Sequence, residues 1–248
     1  MKLTGITQID ELIDPFCKHW ITEIYGEATP VVSIMHYVMA YRSREDQVYV
    51  LLNLEFGGID SLYLVKLCRI FNCNLENILV SRAFRLSETV KALEELSQVR
   101  NSLILLVYPY NYVSVDPRKY HEATRITGLI SKVASSNQVV LFNAVTRYGK
   151  YMPEGGSFHH HVVKVIVRVI KRGNSLIAEL VKHPVRERRW RIIPLSVLKH
   201  PVREQGKTTI LRWIREDTTQ AFSVSRCILG NTILGNTLDL HSAIASTQ

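Results

Sequence analysis

Residues 146–151, TRYGKY, interleave two cations with two aromatic rings. Arg147 and Lys150 can meet phosphate groups, and Tyr148 and Tyr151 can stack on bases. A contact with single-stranded nucleic acid requires this combination of side chains. The segment therefore predicts a site for a polyanion whose bases are exposed.

The positive charge of the chain is concentrated around this segment. The whole sequence has a net charge of +9, and residues 140–215 alone carry 16 Lys or Arg against 4 Asp or Glu. A basic face of this kind is an electrostatic footprint for polyanions, most often nucleic acid. An ordinary solvated basic surface would have the same composition, so charge alone leaves both interpretations open.

The elements that must position these residues are predicted by hydrophobic periodicity. Near-continuous apolar runs, typical of parallel strands covered on both faces, lie at residues 21–25, 47–54, 102–108 and 138–142. Helical spacing is found between them at residues 32–41, 61–71, 86–99 and 117–134, the last with Asp116 as N-cap. This alternation predicts right-handed crossovers and a mostly parallel α/β sheet flanked by helices.

The pattern changes after residue 155. Two alternating, β-branched segments meet at Gly173-Asn174, which predicts an antiparallel hairpin. Lys164 and Arg168 fall between apolar neighbours on its first arm and are further candidates for phosphate contacts.

The three consecutive histidines before this hairpin are expected to be part of a strand. Neighbouring strand residues point to opposite faces, so at most His159 and His161 could share an ion. We predict no metal site and no cofactor. The four cysteines complete no zinc motif and are expected to be reduced. No apolar run approaches the roughly 20 residues that span a bilayer, which predicts a soluble, cytoplasmic protein without a membrane partner.

Two early stretches, GITQIDELI and ITEIYGE, resemble the opening of the archaeal recombinase RadA and its paralogues. These proteins begin their core with a Gly-x-x-x-Leu-Asp stretch and a strand reading Ile-Thr-Glu, an apolar residue, an aromatic residue and Gly-Glu. The resemblance covers about residues 3–195 and implies a RecA-like core over residues 1–215, with antiparallel strands on its C-terminal side. Residues 216–248, rich in Ser, Thr and Asn, are expected to form a loosely packed tail. The resemblance implies a core alone, without the family's helix-hairpin-helix domain or polymerisation linker.

In the RadA family this strand leads to the phosphate loop G-x-x-x-x-G-K-[ST]. Gly26 matches its first glycine and Ser33 its hydroxyl, but Val31 and Val32 occupy the second Gly and the Lys. Valine offers neither the glycine backbone that wraps a phosphate nor the positive charge of lysine. Pro30 also removes one backbone N–H group. The sequence therefore predicts a degenerate nucleotide site that cannot bind a triphosphate tightly.

Two further family positions belong to the same site. Tyr108 stands where the resemblance places the aspartate of the magnesium shell, and phenol is a poor magnesium ligand. Glu55 stands where the family keeps the acid that orients the attacking water, but a lone Glu at a strand end is also a common hydrogen-bond acceptor. We predict that the protein is not an enzyme.

The family binds DNA through two loops, and both have counterparts in this sequence. The first follows Tyr108, and the second contains TRYGKY and a Pro-x-Gly-Gly match at residues 153–156. With the hairpin positions, the predicted DNA-binding residues are Arg118, Lys119, Arg147, Tyr148, Lys150, Tyr151, Lys164 and Arg168.

These expectations favour a non-catalytic RadA-like paralogue that modulates homologous recombination or DNA repair. Its predicted partners are DNA, single-stranded rather than duplex, and RadA or another RecA-family protein. Two alternatives are a structural subunit of a RecA-family complex without DNA contact and an ATPase with an atypical site. Salt-dependent DNA binding distinguishes the first alternative, and tight ATP binding distinguishes the second.

Overall fold

The computed structural model describes residues 2–146 and 151–199, and in these ranges eight strands form one sheet in the order β3-β2-β4-β5-β1-β6-β7-β8. The strands are β1 (Ile21–Gly26), β2 (Val48–Leu52), β3 (Ile78–Arg82), β4 (Leu103–Val107), β5 (Gln138–Ala144), β6 (Val165–Arg172), β7 (Ser175–Lys182) and β8 (Arg189–Pro194). Strands β1 to β6 are all parallel to one another. Strand β7 pairs with β6, and β8 with β7, in antiparallel fashion.

Helices cover both faces of the parallel part of this sheet. They are α1 (Thr7–Ile13), α2 (Ala28–Arg42), α3 (Ser61–Phe71), α4 (Leu86–Leu96), α5 (Tyr120–Ala134), α6 (Gly156–Val162) and α7 (Leu195–Lys199), with 3-10 turns at Leu75–Asn77 and Pro117–Lys119. One apolar core lies between the sheet and α1, α2, α3 and α7, and a second lies between the sheet and α4 and α5. Burial of these two cores is the main force that holds the three layers together.

The predicted fold class is confirmed. The four apolar runs form β1, β2, β4 and β5, in the fully buried centre of the sheet, as continuous hydrophobicity requires. The predicted hairpin is also present, with Gly173 at a φ of 54° in its turn. Asp116 accepts a hydrogen bond from the backbone N–H of Arg118 at 3.0 Å, which satisfies a free donor at the start of the predicted helix.

Several elements were not predicted, among them β3, α1 and α6, and the expectation for the three histidines was wrong. Strand β3 lies at the sheet edge, where Leu79 and Val80 are about half exposed, so its sequence lacks the continuous apolar signature. Helices α1 and α6 have seven residues each and give too little periodicity. The three histidines belong to α6 and not to a strand, because the left-handed Gly155 directs the chain into a helix.

The expectation that the cysteines are reduced is also wrong, because Cys17, Cys68 and Cys73 are all disulfide-bonded. Cys68 near the end of α3 and Cys73 just after it are joined in a disulfide. Asn72, between them, ends the helix in the left-handed conformation and turns the chain back toward Cys68.

Candidate functional site

The connection between β1 and α2 is a single residue, Glu27. The sequence predicted a helix from Val32, but α2 begins at Ala28, so residues that would form a phosphate loop are helical. Gly26 pairs with Val169 of β6, and a Cβ atom on Gly26 would overlap the Val169 carbonyl oxygen. This glycine therefore has a packing role that is independent of any phosphate.

The side chains at the start of α2 pack inward or bond within the helix. Val31 is fully buried and Pro30 is buried, whereas Val32 is half-buried against the same core. The Ser33 hydroxyl donates to the Thr29 carbonyl oxygen at 2.9 Å, one turn earlier in α2. The junction thus presents a compact apolar helix start instead of a loop of backbone N–H groups.

A cleft of about 800 Å³ remains beside this junction. It is lined by the first two turns of α2, by Tyr108, by the β6–β7 turn and by α7. The hydroxyl groups of Tyr37 and Tyr63 donate to the carbonyl oxygens of Val197 and Leu198, which fixes the end of α7 across the cleft. Burial raises the pKa of Tyr63 above its usual value, so this hydroxyl keeps its proton for the bond.

His36 is held in one tautomer on the wall of the cleft. Its Nδ1–H donates to the Val32 carbonyl oxygen at 2.7 Å, and its Nε2 accepts from the Asp60 N–H at 2.9 Å. Both ring nitrogens are therefore occupied by backbone groups. Burial lowers the pKa of His36, which favours the neutral ring.

Tyr108 follows β4 and faces the same cleft. Its φ of 50° lies in the left-handed region, and its side chain is 8 % exposed. Among the described residues the buried hydroxyl has no hydrogen-bond partner, and burial raises its pKa. Glu55 is exposed and does not line the cleft. The acids that do line it are Glu27 and Asp60.

A buried polar network that the sequence reasoning missed lies at the opposite side of β1. Glu23, fully buried in β1, accepts hydrogen bonds at 2.9 Å from Asn143 of β5 and from the ring of His159 in α6. The Tyr110 hydroxyl bridges His159 Nδ1 and Thr127. Glu23 stands near the centre of an otherwise mostly apolar strand in the sequence, and this was the one sign of a buried polar network.

The two predicted DNA loops meet around a second cavity of about 380 Å³. Its walls include Tyr110, Tyr120 and Asp116 from the first loop region and Met152 and Gly155 from the second. The structure thus brings the described parts of the two segments together.

The eight predicted DNA-binding residues have different surroundings. Arg118 is exposed but forms an ion pair with Asp116 at 3.0 Å, and Lys119 is exposed. Tyr151 lies against Arg168, and Lys164 is half-buried where β6 begins. Three others lie outside the described residues: Arg147, Tyr148 and Lys150.

Within residues 2–146 and 151–199, no three His, Cys, Asp or Glu side chains are grouped as metal ligands would be. No helix in these ranges is both long enough and apolar enough to cross a bilayer.

The strand order, the crossovers and the antiparallel addition to β6 define a RecA-like α/β core. No protein-family model matches the sequence, and no curated protein is significantly similar to it. Among solved structures, the chain is similar to the crystal structure of the RadB recombinase, with a TM-score of 0.65 and 17 % sequence identity. The match covers 78 % of this chain and 96 % of that one. At this identity the likeness establishes the fold.

Proposed function

We propose that the protein is a non-catalytic RecA-like protein that acts in recombination or DNA repair by binding single-stranded DNA and a recombinase. It does so without hydrolysing ATP. The observation that carries this proposal is the start of α2 at Ala28, only one residue after β1 ends. A phosphate loop needs several consecutive non-helical residues at this position.

Three features of the cleft support the absence of ATP hydrolysis. The lysine that would contact the outer phosphates is replaced by Val32. The Ser33 hydroxyl, which would contact magnesium, is bonded to Thr29. Tyr108 supplies a buried phenol in place of a carboxylate. Each feature alone weakens the site, and together they remove its phosphate, hydroxyl and metal contacts.

Two assays on the purified protein test this part. We expect phosphate release from ATP at the buffer background rate, with or without DNA, and no heat of ATP binding at millimolar nucleotide. An active RecA-family recombinase, assayed in parallel, is the positive control. Tight, magnesium-dependent ATP binding would support the atypical ATPase instead.

The proposed DNA binding rests on the basic composition of residues 140–215 and on the convergence of the two loop regions. Lys119 is exposed beside the shared cavity, and Arg147 and Lys150 follow Thr146, which lines it. Phosphate contacts make affinity fall steeply with salt.

Titration of a fluorescent single-stranded oligonucleotide at several salt concentrations tests this part. Changing Lys119 to Ala should lower the salt slope by about one, and the Arg147→Ala/Lys150→Ala pair by about two. Lys91→Ala, on the exposed side of α4, is the matched control. Binding that ignores salt and these changes would favour the structural subunit.

The recombinase-binding surface that we propose is the β3 edge of the sheet. Within the described residues no strand pairs with the outer side of β3, and Leu79 and Val80 are about half exposed. A groove of about 230 Å³ lies between β3 and α4, with Leu79, Ala92 and Leu96 in its walls. An extended segment of a partner can pair with such an edge and place an apolar side chain in the groove.

A pull-down with the purified cellular recombinase tests this surface. The Leu79→Lys substitution should abolish capture because it puts a charge into the apolar groove. Leu62→Lys changes an exposed leucine on α3, outside the groove, and should leave capture intact. Equal capture by both variants would exclude β3 as the interface.

A further inference from the structure

One face of the antiparallel strands is uncovered in the part of the chain that the structure describes. On the opposite face, Val169, Ala178 and Ile193 are fully buried in the first core. The second core includes Ile166 of β6, but no buried residue of β7 or β8. We call this surface the open face. Trp190 and Ile192 are exposed in it, and Arg168, Ile170, Ile177 and Glu179 are partly exposed.

Strand register arranges the open face in two rows. Arg168 is paired with Glu179, which is paired with Trp190, so these three form one row across β6, β7 and β8. The second row, of three isoleucines, is Ile170, Ile177 and Ile192. Paired residues of antiparallel strands point to the same side, so both rows face outward together.

Two aromatic rings at the ends of the first row are available for stacking. Trp190 on β8 is 59 % exposed, and Tyr151 beside β6 is 74 % exposed. The guanidinium of Arg168 lies 4.3 Å from the centre of the Tyr151 ring. The buried Tyr25 hydroxyl donates to the Tyr151 carbonyl oxygen at 2.9 Å and anchors this residue. Rings that are this exposed are available to stack on the rings of a partner.

The charges on the open face favour a polyanion. Its one acid, Glu179, is 2.8 Å from the Nε of Arg188 and 3.8 Å from Arg168. Two arginines thus surround one carboxylate, and Arg172 at the end of β6 adds another exposed cation. With Arg188 and Arg172 at its margin, the open face has three arginines against one glutamate.

We propose that the open face is a stacking platform for single-stranded DNA, in which bases stack on Trp190 and Tyr151 and phosphates contact the arginines. This inference rests on the proposed DNA binding and assigns it a second surface next to the loops. Two strand spacings, roughly 10 Å, separate Arg168 on β6 from Trp190 on β8, so the platform spans a few nucleotides. Duplex DNA does not fit this role, because its bases are already stacked in pairs.

Intrinsic tryptophan emission of the full chain tests the platform directly. The chain has three tryptophans: Trp20 is 2 % exposed, and Trp213 lies outside the described residues. In a Trp213→Phe background, Trp190 is therefore the reporter that solvent and DNA can reach. We expect oligo-dT to quench this emission and a duplex of equal length to leave it unchanged.

Substitutions at the two rings distinguish the contribution of stacking to affinity from the quenching of tryptophan emission. Trp190→Ala should weaken binding of oligo-dT about tenfold, whereas Trp190→Phe should keep most of the affinity and lose the quenching. Tyr151→Ala should weaken binding to a similar extent. Because both rings are exposed, the thermal unfolding midpoints should stay close to that of the background protein.

The outcomes distinguish this inference from the proposed function. If no oligonucleotide binds to any form of the protein, DNA binding itself is wrong. If DNA binds but neither the Trp190 emission nor the affinity of Trp190→Ala changes, DNA uses the loops alone and the platform is refuted. If a recombinase quenches Trp190 and DNA does not, the open face is a protein interface, which also overturns the inference.

Discussion

Restoring the phosphate-loop residues should damage the protein without restoring nucleotide binding. The test is the double substitution Val31→Gly/Val32→Lys, which rebuilds the family consensus at these two positions. Because α2 already begins at Ala28, both new residues would lie inside a helix. The glycine would not produce a loop, and the lysine would have no cradled phosphate to contact.

The cost of this change follows from the burial of Val31. Its side chain is fully buried, and removing a buried valine costs about 1.5–3 kcal/mol. Glycine in a helix interior adds up to about 1 kcal/mol. The free energy of unfolding should therefore fall by about 3 kcal/mol, which is roughly two powers of ten in the unfolding equilibrium. The Val32→Lys change should cost less than about 1 kcal/mol, because Val32 is half-buried beside the cleft and a lysine can extend into it.

Urea denaturation and calorimetric ATP titration of the wild type, both single variants and the double variant provide the measurement. Ser33→Ala is the control, because its hydroxyl bonds only within α2, and its stability should stay close to that of the wild type. The reasoning would be refuted by micromolar ATP binding in the double variant. A Val31→Gly protein within about 0.5 kcal/mol of the wild type would refute it as well.

Other features predict effects that denaturation can also measure. Gly26→Ala should prevent stable folding because the new Cβ atom would overlap backbone atoms. Gly128→Ala in α5, where the space around the glycine is open, should instead stabilise the protein by about 0.5–1 kcal/mol. Equal effects of the two substitutions would contradict the packing role of Gly26. His159→Ala should cost about 3 kcal/mol because it leaves Glu23 buried with one partner fewer, and a neutral effect would argue against the network. Burial holds the pKa of His36 below its usual 6.5, so the unfolded state binds the proton first as pH falls and stability should drop below about pH 6.5. The His36→Leu variant should show a shallower drop, and an unchanged pH profile would exclude His36 as its source.

The sequence was most informative where burial is complete. Continuous apolar runs predicted the central strands because a strand covered on both faces tolerates few polar residues. The same rule explains why β3 was missed, since Leu79 and Val80 lie on an edge and need no such pattern. The network around Glu23 could not be predicted in full, because its partner His159 is 136 residues away in the sequence.

Local periodicity could not establish the exact start of α2. Ala28 and Thr29 are exposed, so nothing apolar marked the first turn of the helix, and the comparison with a phosphate loop suggested a later start. The contact of Arg168 with Tyr151 depends on strand register and on a loop conformation, neither of which is a property of adjacent residues.

The fixed position of the end of α7 bears on how the protein would be released from a partner. A RecA-like protein that binds and hydrolyses a nucleotide has one state before hydrolysis and another after it, and the rate of hydrolysis determines how long the first state lasts. In this chain the cleft wall is held by bonds from Tyr37 and Tyr63 to the protein's own backbone. Under the proposed function, nucleotide hydrolysis supplies no signal for release. The residence time on a partner is then set by the dissociation rate, and occupancy by concentration and by competition for the same surface.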